Sequence, residues 1–422
     1  MKILWFVNNL CEAVEYLKPD TQACGWLYSL CQHLRKQDDI ELHIAFLWNG
    51  ALSAFTYKDV VYHPVSRKGI NTRWGRYLMR MRNLFVKPND TRELRICLQI
   101  IDEVQPDIIH IHGSEDMFGL ITQSKKVKCP VVLSMQGLLS SCRLKYYSGI
   151  TRDAISRKEP IIKKLLLSGY NGVYRDFSER ADREIVMFKT LKNVIGRTQW
   201  DRRGAQSLNP NIRYYQVNEI LRPEFFSTEW NGQHHECFTI VTTISSGIFK
   251  GLEVIYEAAK MLKNTHVLFQ WNIVGITQDD EMVKLVEKVC NIKHQDVNVD
   301  FLGQKLADGV AKILLQSDLY VQVSHIENSP NSVCEAMALG MPIIASFVGG
   351  TSSMLKDGEE GVLIQDGNPF ELAGAVMEAK QDYAHAIQMA KNARKRALKR
   401  HQPENVVNEL MAVYHSIIDS SK

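Results

Sequence analysis

Short apolar runs recur along this chain of 422 residues, and between them lie segments whose apolar residues are three and four positions apart. A short run without alternation is typical of a strand buried on both faces of a parallel sheet, and the intervening spacing is typical of helices. The predicted strands are residues 3–7, 42–47, 107–111, 130–134, 193–196, 238–242, 269–274, 299–302, 319–323, 342–345 and 361–363. The chain is therefore predicted to be an α/β protein with two successive doubly wound, Rossmann-like domains.

A proline and a polar stretch separate the two series of strands between Arg222 and Asn231. We therefore predict an N-terminal domain over residues 1–225 and a C-terminal domain over residues 226–402. A final helix, at about residues 403–422, is expected to pack back on the first domain. Ligands of parallel sheets bind at the carboxyl ends of the strands, so a cleft between the two domains is the predicted site.

The charged residues are divided unevenly between the two halves. Residues 1–225 contain 34 Lys and Arg against 23 Asp and Glu, and the remainder contains 17 against 24. The resulting net charges are +11 and −7, which give the overall +4. This asymmetry indicates that the first half faces an anionic partner.

Nine cysteines without C-x-x-C spacing fit neither a disulfide framework nor a zinc site. We interpret them as small buried hydrophobic residues in a reducing cytosol. The first residues indicate a strand and not a signal peptide, and no stretch approaches the roughly 18 apolar residues of a membrane span. The expected location is the cytoplasm, with any membrane contact peripheral and on its inner face.

The loop after the predicted strand 319–323 is followed by the start of a helix. Asn331 or Ser332 is predicted to cap a helix that begins near Val333. The free backbone N–H groups of such a helix end, together with its macrodipole, favour a bound anion.

Two carboxylates, Glu327 and Glu335, lie eight positions apart in this region. Residues 332–335 also match the S-x-x-E capping box, in which Glu335 would only bond the backbone N–H of Ser332. A lone loop glutamate such as Glu327 is usually solvated, so the pair gains meaning only from its context.

That context is a longer pattern. Glu327-x7-Glu335 is followed by Ala336-Met-Ala-Leu-Gly-Met-Pro-Ile-Ile-Ala-Ser-Phe-Val-Gly-Gly350 and by Asp357-Gly-Glu-Glu-Gly361. The pattern resembles the donor-site signature of the retaining glycosyltransferases of family 4, the glycosyl transferases group 1. Weaker matches are Gly25, residues 106–113, residues 130–137 and Lys250-Gly251. The resemblance implies the GT-B architecture, in which two Rossmann-like domains face each other across a cleft.

The resemblance also implies roles for individual residues. Glu335 would bind the ribose hydroxyls of a UDP- or GDP-linked sugar, and Glu327 the hydroxyls of the transferred sugar. Lys250 would neutralise the diphosphate; the alternative for Lys250 is a solvated surface lysine. The positions implied to contact the donor through the backbone are Asn331, Ser332, Val333 and Gly25.

Two positions depart from the family pattern. Ser245 stands where the family usually has an arginine, five residues before Lys250, and Gln136 stands where members often carry a histidine. One diphosphate-binding cation is therefore missing or supplied elsewhere. No Asp-x-Asp occurs in the chain, so we expect transfer without a metal or other cofactor, and the resemblance implies retention of anomeric configuration.

Two histidines end the predicted strand 107–111. In a strand of period two His110 and His112 share a face, but only His112 reaches the loop. We therefore expect His110 to be a hydrogen-bonded core residue and His112 to be a site residue, which matches the family histidine near the reacting sugar.

Segments 67–95 and 142–164 interrupt the strand rhythm of the first half and are rich in basic residues. These are Arg67, Lys68, Arg73, Arg76, Arg80, Arg82, Lys87, Arg92, Arg95, Arg143, Lys145, Arg152, Arg157, Lys158, Lys163 and Lys164. Basic residues interleaved with apolar ones favour an anionic membrane surface, and solvated helix faces are the alternative. We expect a glycan or lipid-linked acceptor on this side, with Gln136, Arg143 and Lys145 among the acceptor-side residues.

Other functions have less support. No zinc-finger spacing, RNP-like motif or basic recognition helix indicates nucleic acid, and no G-x-G-x-x-G follows residues 3–7 as an NAD-dependent enzyme would require. A non-catalytic sugar-nucleotide-binding protein stays open, because Ser245 replaces a phosphate ligand.

Overall fold

The structure is a computed structural model, and it describes residues 1–18, 25–67, 77–78, 81, 90–165 and 168–421. Its strands are β1 (Lys2–Val7), β2 (Glu41–Asn49), β3 (Phe55–Tyr57), β4 (Val60–Arg67), β5 (Ile108–His112), β6 (Val131–Ser134), β7 (Asn193–Gly196), β8 (Arg213–Gln216), β9 (Phe238–Thr243), β10 (Phe269–Val274), β11 (Val299–Gly303), β12 (Leu319–Gln322), β13 (Ile343–Ser346) and β14 (Val362–Ile364).

The α-helices follow the strands in the order expected of βαβ units. They are α1 (Ala13–Leu17), α2 (Trp26–Leu34), α3 (Thr91–Val104), α4 (Leu139–Cys142), α5 (Arg152–Lys158), α6 (Ile161–Leu165), α7 (Tyr170–Phe188), α8 (Gln199–Leu208), α9 (Leu252–Asn264), α10 (Glu281–Cys290), α11 (Ala307–Leu315), α12 (Asn331–Leu339), α13 (Pro369–Gln381), α14 (Tyr383–Arg400) and α15 (Pro403–Asp419).

Two sheets organise the molecule. The first has the order β3-β4-β2-β1-β5-β6-β7-β8 and is parallel except at β3, and the second has the order β11-β10-β9-β12-β13-β14 and is parallel throughout. The strand order reverses between β1 and β5 in the first sheet and between β9 and β12 in the second. These are the two topological switch points, where the loops diverge and leave room for a ligand.

The eleven predicted strands are all present within one or two residues. Most are largely buried, whereas β11 and β14, at the two edges of the second sheet, are mostly half-buried. All residues of β5, β12 and β13 are buried, as the unbroken apolar runs indicate.

Three further strands were not predicted, because they lack an unbroken apolar run. β3 and β4 form a hairpin whose turn residues, Lys58 and Asp59, have φ of 50° and 61°, and β8 is a half-exposed edge strand.

The chain passes from one core to the other near residue 220. Val217 and Ile220 pack in the core of the first sheet, whereas Leu221 and Phe225 pack in that of the second. This crossing lies about five residues before the predicted boundary at residue 225. α15 returns to the first domain, where Tyr414 receives a hydrogen bond from Trp5 (3.1 Å).

The 142–164 segment joins the two halves. Ile150 and Ile155 are buried in the core of the C-terminal domain, although they precede β7 in the chain. Most of the 67–95 segment, including residues 68–76 and 82–89, lies outside the described residues. In the described parts of the chain, no helix is long and apolar enough to cross a membrane.

The cysteine prediction is partly wrong. Cys11, Cys31, Cys97 and Cys334 are buried as expected, but Cys237 is exposed. Cys142 and Cys290 are half-buried at the ends of α4 and α10, Cys129 is half-buried in the loop before β6, and Cys24 lies outside the described residues. The described cysteines are all free thiols.

Candidate functional site

A cavity of about 510 Å³ opens between the two domains, at the switch point of the second sheet. Most of the predicted donor-site residues line it. The lining residues include Gly25, Trp26, Arg222, Ser245, Lys250, Gln304, Lys305, Gln322, Ser324, Glu327, Asn331, Ser332 and Glu335. Of the predicted donor contacts, only Val333 is not in this lining.

Lys250 and Glu327 form an ion pair in the cavity, with Nζ 2.5 Å from Oε1. Lys250 ends a short 3₁₀ turn after β9, two residues before α9, so it precedes the helix instead of lying in its first turn. Gly251 makes this turn possible. Its φ is 77°, and a Cβ there would lie 2.1 Å from the carbonyl oxygen of Val323.

The start of α12 differs from the prediction. The helix begins at Asn331, after Pro330, and no side chain caps it. Proline is compatible with this position because its missing N–H would have no helical partner there. Asn331 and Ser332 therefore lie in the first turn and line the cavity, where the first backbone N–H groups of a helix are free of intrahelical bonds.

Val333 does not take the predicted role. Its backbone N–H donates to the carbonyl oxygen of Pro330 (3.0 Å), and its side chain is fully buried in the core. The difference arises because the helix begins two residues earlier than expected. The N–H of Val333 is therefore bonded within the first turn and does not face the cavity. The predicted anion site is thus limited to the first backbone amides at the N-terminus of α12.

Glu335 is not part of a capping box, because it lies in the second turn of α12. It pairs instead with Arg222, whose Nε and Nη2 lie 2.8 Å and 2.7 Å from the same oxygen, Oε1. Burial raises the pKa of Glu335 to about 7, and the neighbouring guanidinium opposes that rise. No described residue donates to Oε2 of Glu335, which remains available to a ligand.

The N-terminal domain contributes the start of α2 to the cavity. Gly25 lies at the N-cap position with φ of 104°, and no described residue lies within 4 Å of a Cβ built on it, so a ligand can approach the backbone. Trp26 follows it and also lines the cavity. Across the cleft, Ser245 is exposed on the loop after β9.

His112 lies behind the cavity wall, at the end of β5. Its ring is 5.8 Å from that of Trp26 and 3.8 Å from that of His110, and neither ring nitrogen has a hydrogen-bond partner in the described structure. Burial, with help from His110 and Arg197, lowers the pKa of His112 well below its usual range, so the ring is neutral. His110, by contrast, bonds Tyr414 (2.5 Å) and Ser134 (2.6 Å) as a core residue.

The predicted acceptor-side residues do not form one group. Gln136 donates to the carbonyl oxygen of His112 (3.3 Å), at the end of β5. Arg143 pairs with Asp182 on α7 (2.6 Å), whereas Lys145 reaches the C-terminal domain and pairs with Asp366 (2.8 Å). Arg143 and Lys145 therefore hold the 142–164 segment in place.

Sequence reasoning missed several polar residues of the cleft, among them Arg222, Gln304, Lys305, Gln322 and Ser324. Arg222 lies in the linker near the predicted domain boundary, and its pairing with Glu335 is seen only in the structure. Gln322 ends β12 and lines the cavity with both amide atoms buried and without a partner in the described chain. Behind the lining, buried Arg197 stacks on Trp26 (4.3 Å) and pairs with buried Glu219 (3.3 Å).

Comparison with known proteins finds a family match in the second half of the chain. Residues 238–396 match the family model described as Glycosyl transferases group 1. The C-terminal domain is therefore a glycosyl transferases group 1 domain, and the two facing sheets form the predicted GT-B fold.

Two relatives of known sequence show the extent of the likeness. N-acetyl-alpha-D-glucosaminyl L-malate synthase of Bacillus anthracis is 28% identical over 170 residues, which are 40% of this chain and 43% of that enzyme. The uncharacterized glycosyltransferase MJ1178 of Methanocaldococcus jannaschii is 23% identical over 348 residues, 82% of this chain and 81% of the relative. This chain thus aligns with less than half of the Bacillus enzyme.

Two solved structures match the whole chain in fold. Sucrose-phosphate synthase from Thermosynechococcus elongatus has a TM-score of 0.70 at 15% identity, with 100% of both chains covered. Anabaena Alr3699/HepE, solved in complex with UDP and glucose, has a TM-score of 0.62 at 16% identity, with 99% of this chain and 100% of that chain covered. At these identities the likeness is one of fold.

Proposed function

We propose that this protein is a glycosyltransferase that moves a sugar from a UDP- or GDP-linked donor to a hydroxyl of a glycan or lipid-linked acceptor, with retention of configuration. The observation that carries the proposal is the single cavity shared by Lys250, Glu327, Glu335 and the start of α12. It lies in the part of the chain that matches the glycosyl transferases group 1. UDP is the first nucleotide to test, because the Anabaena neighbour is solved with UDP and glucose.

The roles follow from the chemistry of each group. Oε2 of Glu335 would accept the ribose hydroxyls, and Glu327 the hydroxyls of the transferred sugar. Lys250 has three N–H donors, of which one is directed at Glu327, so the others can donate to the departing diphosphate. The first amides of α12 would add donors and a favourable dipole.

The transition state would have oxocarbenium character, so stabilising the leaving diphosphate is the main catalytic task. Because His112 is neutral and lies behind Trp26 in the cavity wall, it would support that wall near the sugar and would not act as a cation. We propose no metal or cofactor, and transfer in excess EDTA is the direct test. Anomeric coupling constants in the purified product would test retention.

The deciding experiment is release of nucleoside diphosphate from a panel of UDP- and GDP-sugars, with and without extracts of glycan and lipid-linked acceptors. We expect one sugar nucleotide to turn over, with turnover stimulated by one acceptor class. Binding of a sugar nucleotide without turnover across the panel would favour the second candidate, a non-catalytic sugar-nucleotide-binding protein. The observation that favours this candidate is Ser245, because the proposed diphosphate site then has one cation fewer than the family pattern.

A further inference from the structure

A second cavity of about 510 Å³ lies between α5, α6 and α7 in the N-terminal half. It shares no lining residue with the cleft cavity. Four of its lining side chains are cationic, namely Arg152, Lys163, Lys164 and Arg175, and Glu159 is its one lining carboxylate. The lining residues carry a formal charge of +3, of which Lys163 pairs with Glu281 and Arg175 with Glu179 outside the lining, so Arg152 and Lys164 are the cations that face the cavity without an ion pair among the described residues.

Glu159 is committed to the local backbone. Its carboxylate accepts the N–H of Tyr170 (2.6 Å) and lies against Gly169, where any Cβ would approach it to 2.0 Å. Lys163 pairs with Glu281 of the C-terminal domain. Lys164 is exposed and has no ion pair among the described residues, so its charge is available at the mouth of the cavity.

The helix at this mouth exposes its apolar side chains. Ile161, Ile162 and Leu165 are 73%, 66% and 69% exposed, and they lie within about 100° of one another around α6. Three adjacent exposed aliphatic side chains are unusual on a surface that faces only water. Their position beside cations matches the composition of elements that lie in a membrane interface.

We propose that α6 and the cavity behind it form a membrane-docking site for anionic phospholipid. Ile161, Ile162 and Leu165 would enter the acyl boundary, and the headgroup phosphate would bind between Arg152 and Lys164. A free phosphate would need the cations but not the aliphatic side chains, and the joint presence of both features favours a lipid surface. This site rests on its own residues and does not depend on the proposed transfer reaction.

Co-sedimentation of the full chain with vesicles tests the site. The three vesicle types are phosphatidylcholine alone, phosphatidylcholine with phosphatidylglycerol, and the latter in high salt. We expect binding to the anionic vesicles only, weakened by salt. Changing Ile161, Ile162 and Leu165 to Ser should reduce the partition coefficient at least roughly tenfold. Arg152→Gln with Lys164→Gln should reduce it about 25-fold, at about fivefold for each charge.

Matched controls separate this site from general surface properties. Changing Leu268, Phe370 and Met377 to Ser removes three exposed apolar side chains from the C-terminal domain, and Lys391→Gln with Lys395→Gln removes two exposed charges from α14. Both controls should bind vesicles like the unaltered chain, and all variants should melt at the same temperature. Equal binding of the aliphatic triple variant would overturn the proposal. The proposal would also be overturned if the unaltered chain bound no vesicles but formed a concentration-dependent dimer that the triple variant abolished.

Discussion

The two ion pairs in the cleft look alike but have different environments. Lys250 and Glu327 are joined at 2.5 Å, and Arg222 and Glu335 at 2.7 Å. Each side chain of the first pair is about one-fifth exposed, whereas Glu335 is more deeply buried and has a pKa of about 7. Lys250 and Glu327 follow the two strands of a switch point, while Arg222 comes from the interdomain linker. If the proposed function holds, we expect the first pair to act in transfer and the second in nucleotide affinity.

The largest effect is expected from Lys250→Ala. It removes the cation nearest the proposed diphosphate and leaves Glu327 without its partner, so kcat should fall by about 10² to 10³-fold. Steady-state kinetics with the identified donor would measure it. Lys260→Ala is the matched control, since Lys260 is exposed on α9. A change below tenfold would show that the charge of Lys250 is not used in the transition state.

Glu327→Gln should lower kcat by about 10²-fold with little change in nucleotide affinity. The amide keeps the shape of the side chain but loses the charge that orients Lys250 and accepts sugar hydroxyls. Calorimetric titration with UDP or GDP, beside kinetics, separates the two quantities. If nucleotide affinity falls as much as kcat does, Glu327 contributes to ground-state binding and the contrast with Glu335 disappears.

Glu335→Gln should weaken nucleotide binding by about tenfold and should reveal a pH-dependent stability term. The pKa of Glu335 is raised from its ordinary 4.5 to about 7 by burial, so between these values the folded protein binds more protons than the unfolded chain. The contribution of protonated Glu335 to the free energy of unfolding is complete below pH 4.5 and is lost as pH rises through 7. The loss amounts to about 3 kcal/mol.

Urea unfolding of both proteins at pH 5 and pH 8 would measure this term. Relative to Glu335→Gln, the unaltered protein should lose free energy of unfolding between pH 5 and pH 8. Glu378→Gln, on an exposed face of α13, keeps Glu335 and should therefore lose the same free energy of unfolding between pH 5 and pH 8 as the unaltered protein. A difference between the two proteins that is the same at both pH values would contradict the raised pKa.

The same two pairs show how far sequence alone could reach. Glu327 and Lys250 belong to loops that follow strands with strong apolar signals, so their meeting at a switch point could be predicted. The partner of Glu335 could not, because Arg222 lies in a linker whose path depends on the packing of both cores. The start of α12 was misplaced for a local reason, since the helix begins at Asn331, directly after Pro330, without a side-chain cap. The hairpin of β3 and β4 was missed because its turn residues, Lys58 and Asp59, are not the usual asparagine and glycine.

The smallest effect is expected from Ser245→Arg, which places a guanidinium where the family pattern has one. Ser245 is exposed and lines the cavity on the side of Lys250, so the new cation can reach a diphosphate without displacing a buried group. Nucleotide affinity should improve by roughly threefold to tenfold, a modest gain because a long exposed side chain loses rotamer freedom on binding. Ser246→Arg is the matched control. Ser246 bonds Asp280 outside the cavity, so this variant adds the same charge one residue away.

If both variants gain nucleotide affinity equally, the improvement comes from the general increase in positive potential, and Lys250 is the one specific diphosphate cation on this loop. If Ser245→Arg weakens binding while Ser246→Arg does not, the space beside Ser245 is occupied by the donor itself. The absence of the family arginine would then reflect the shape of this chain's donor and not a missing charge.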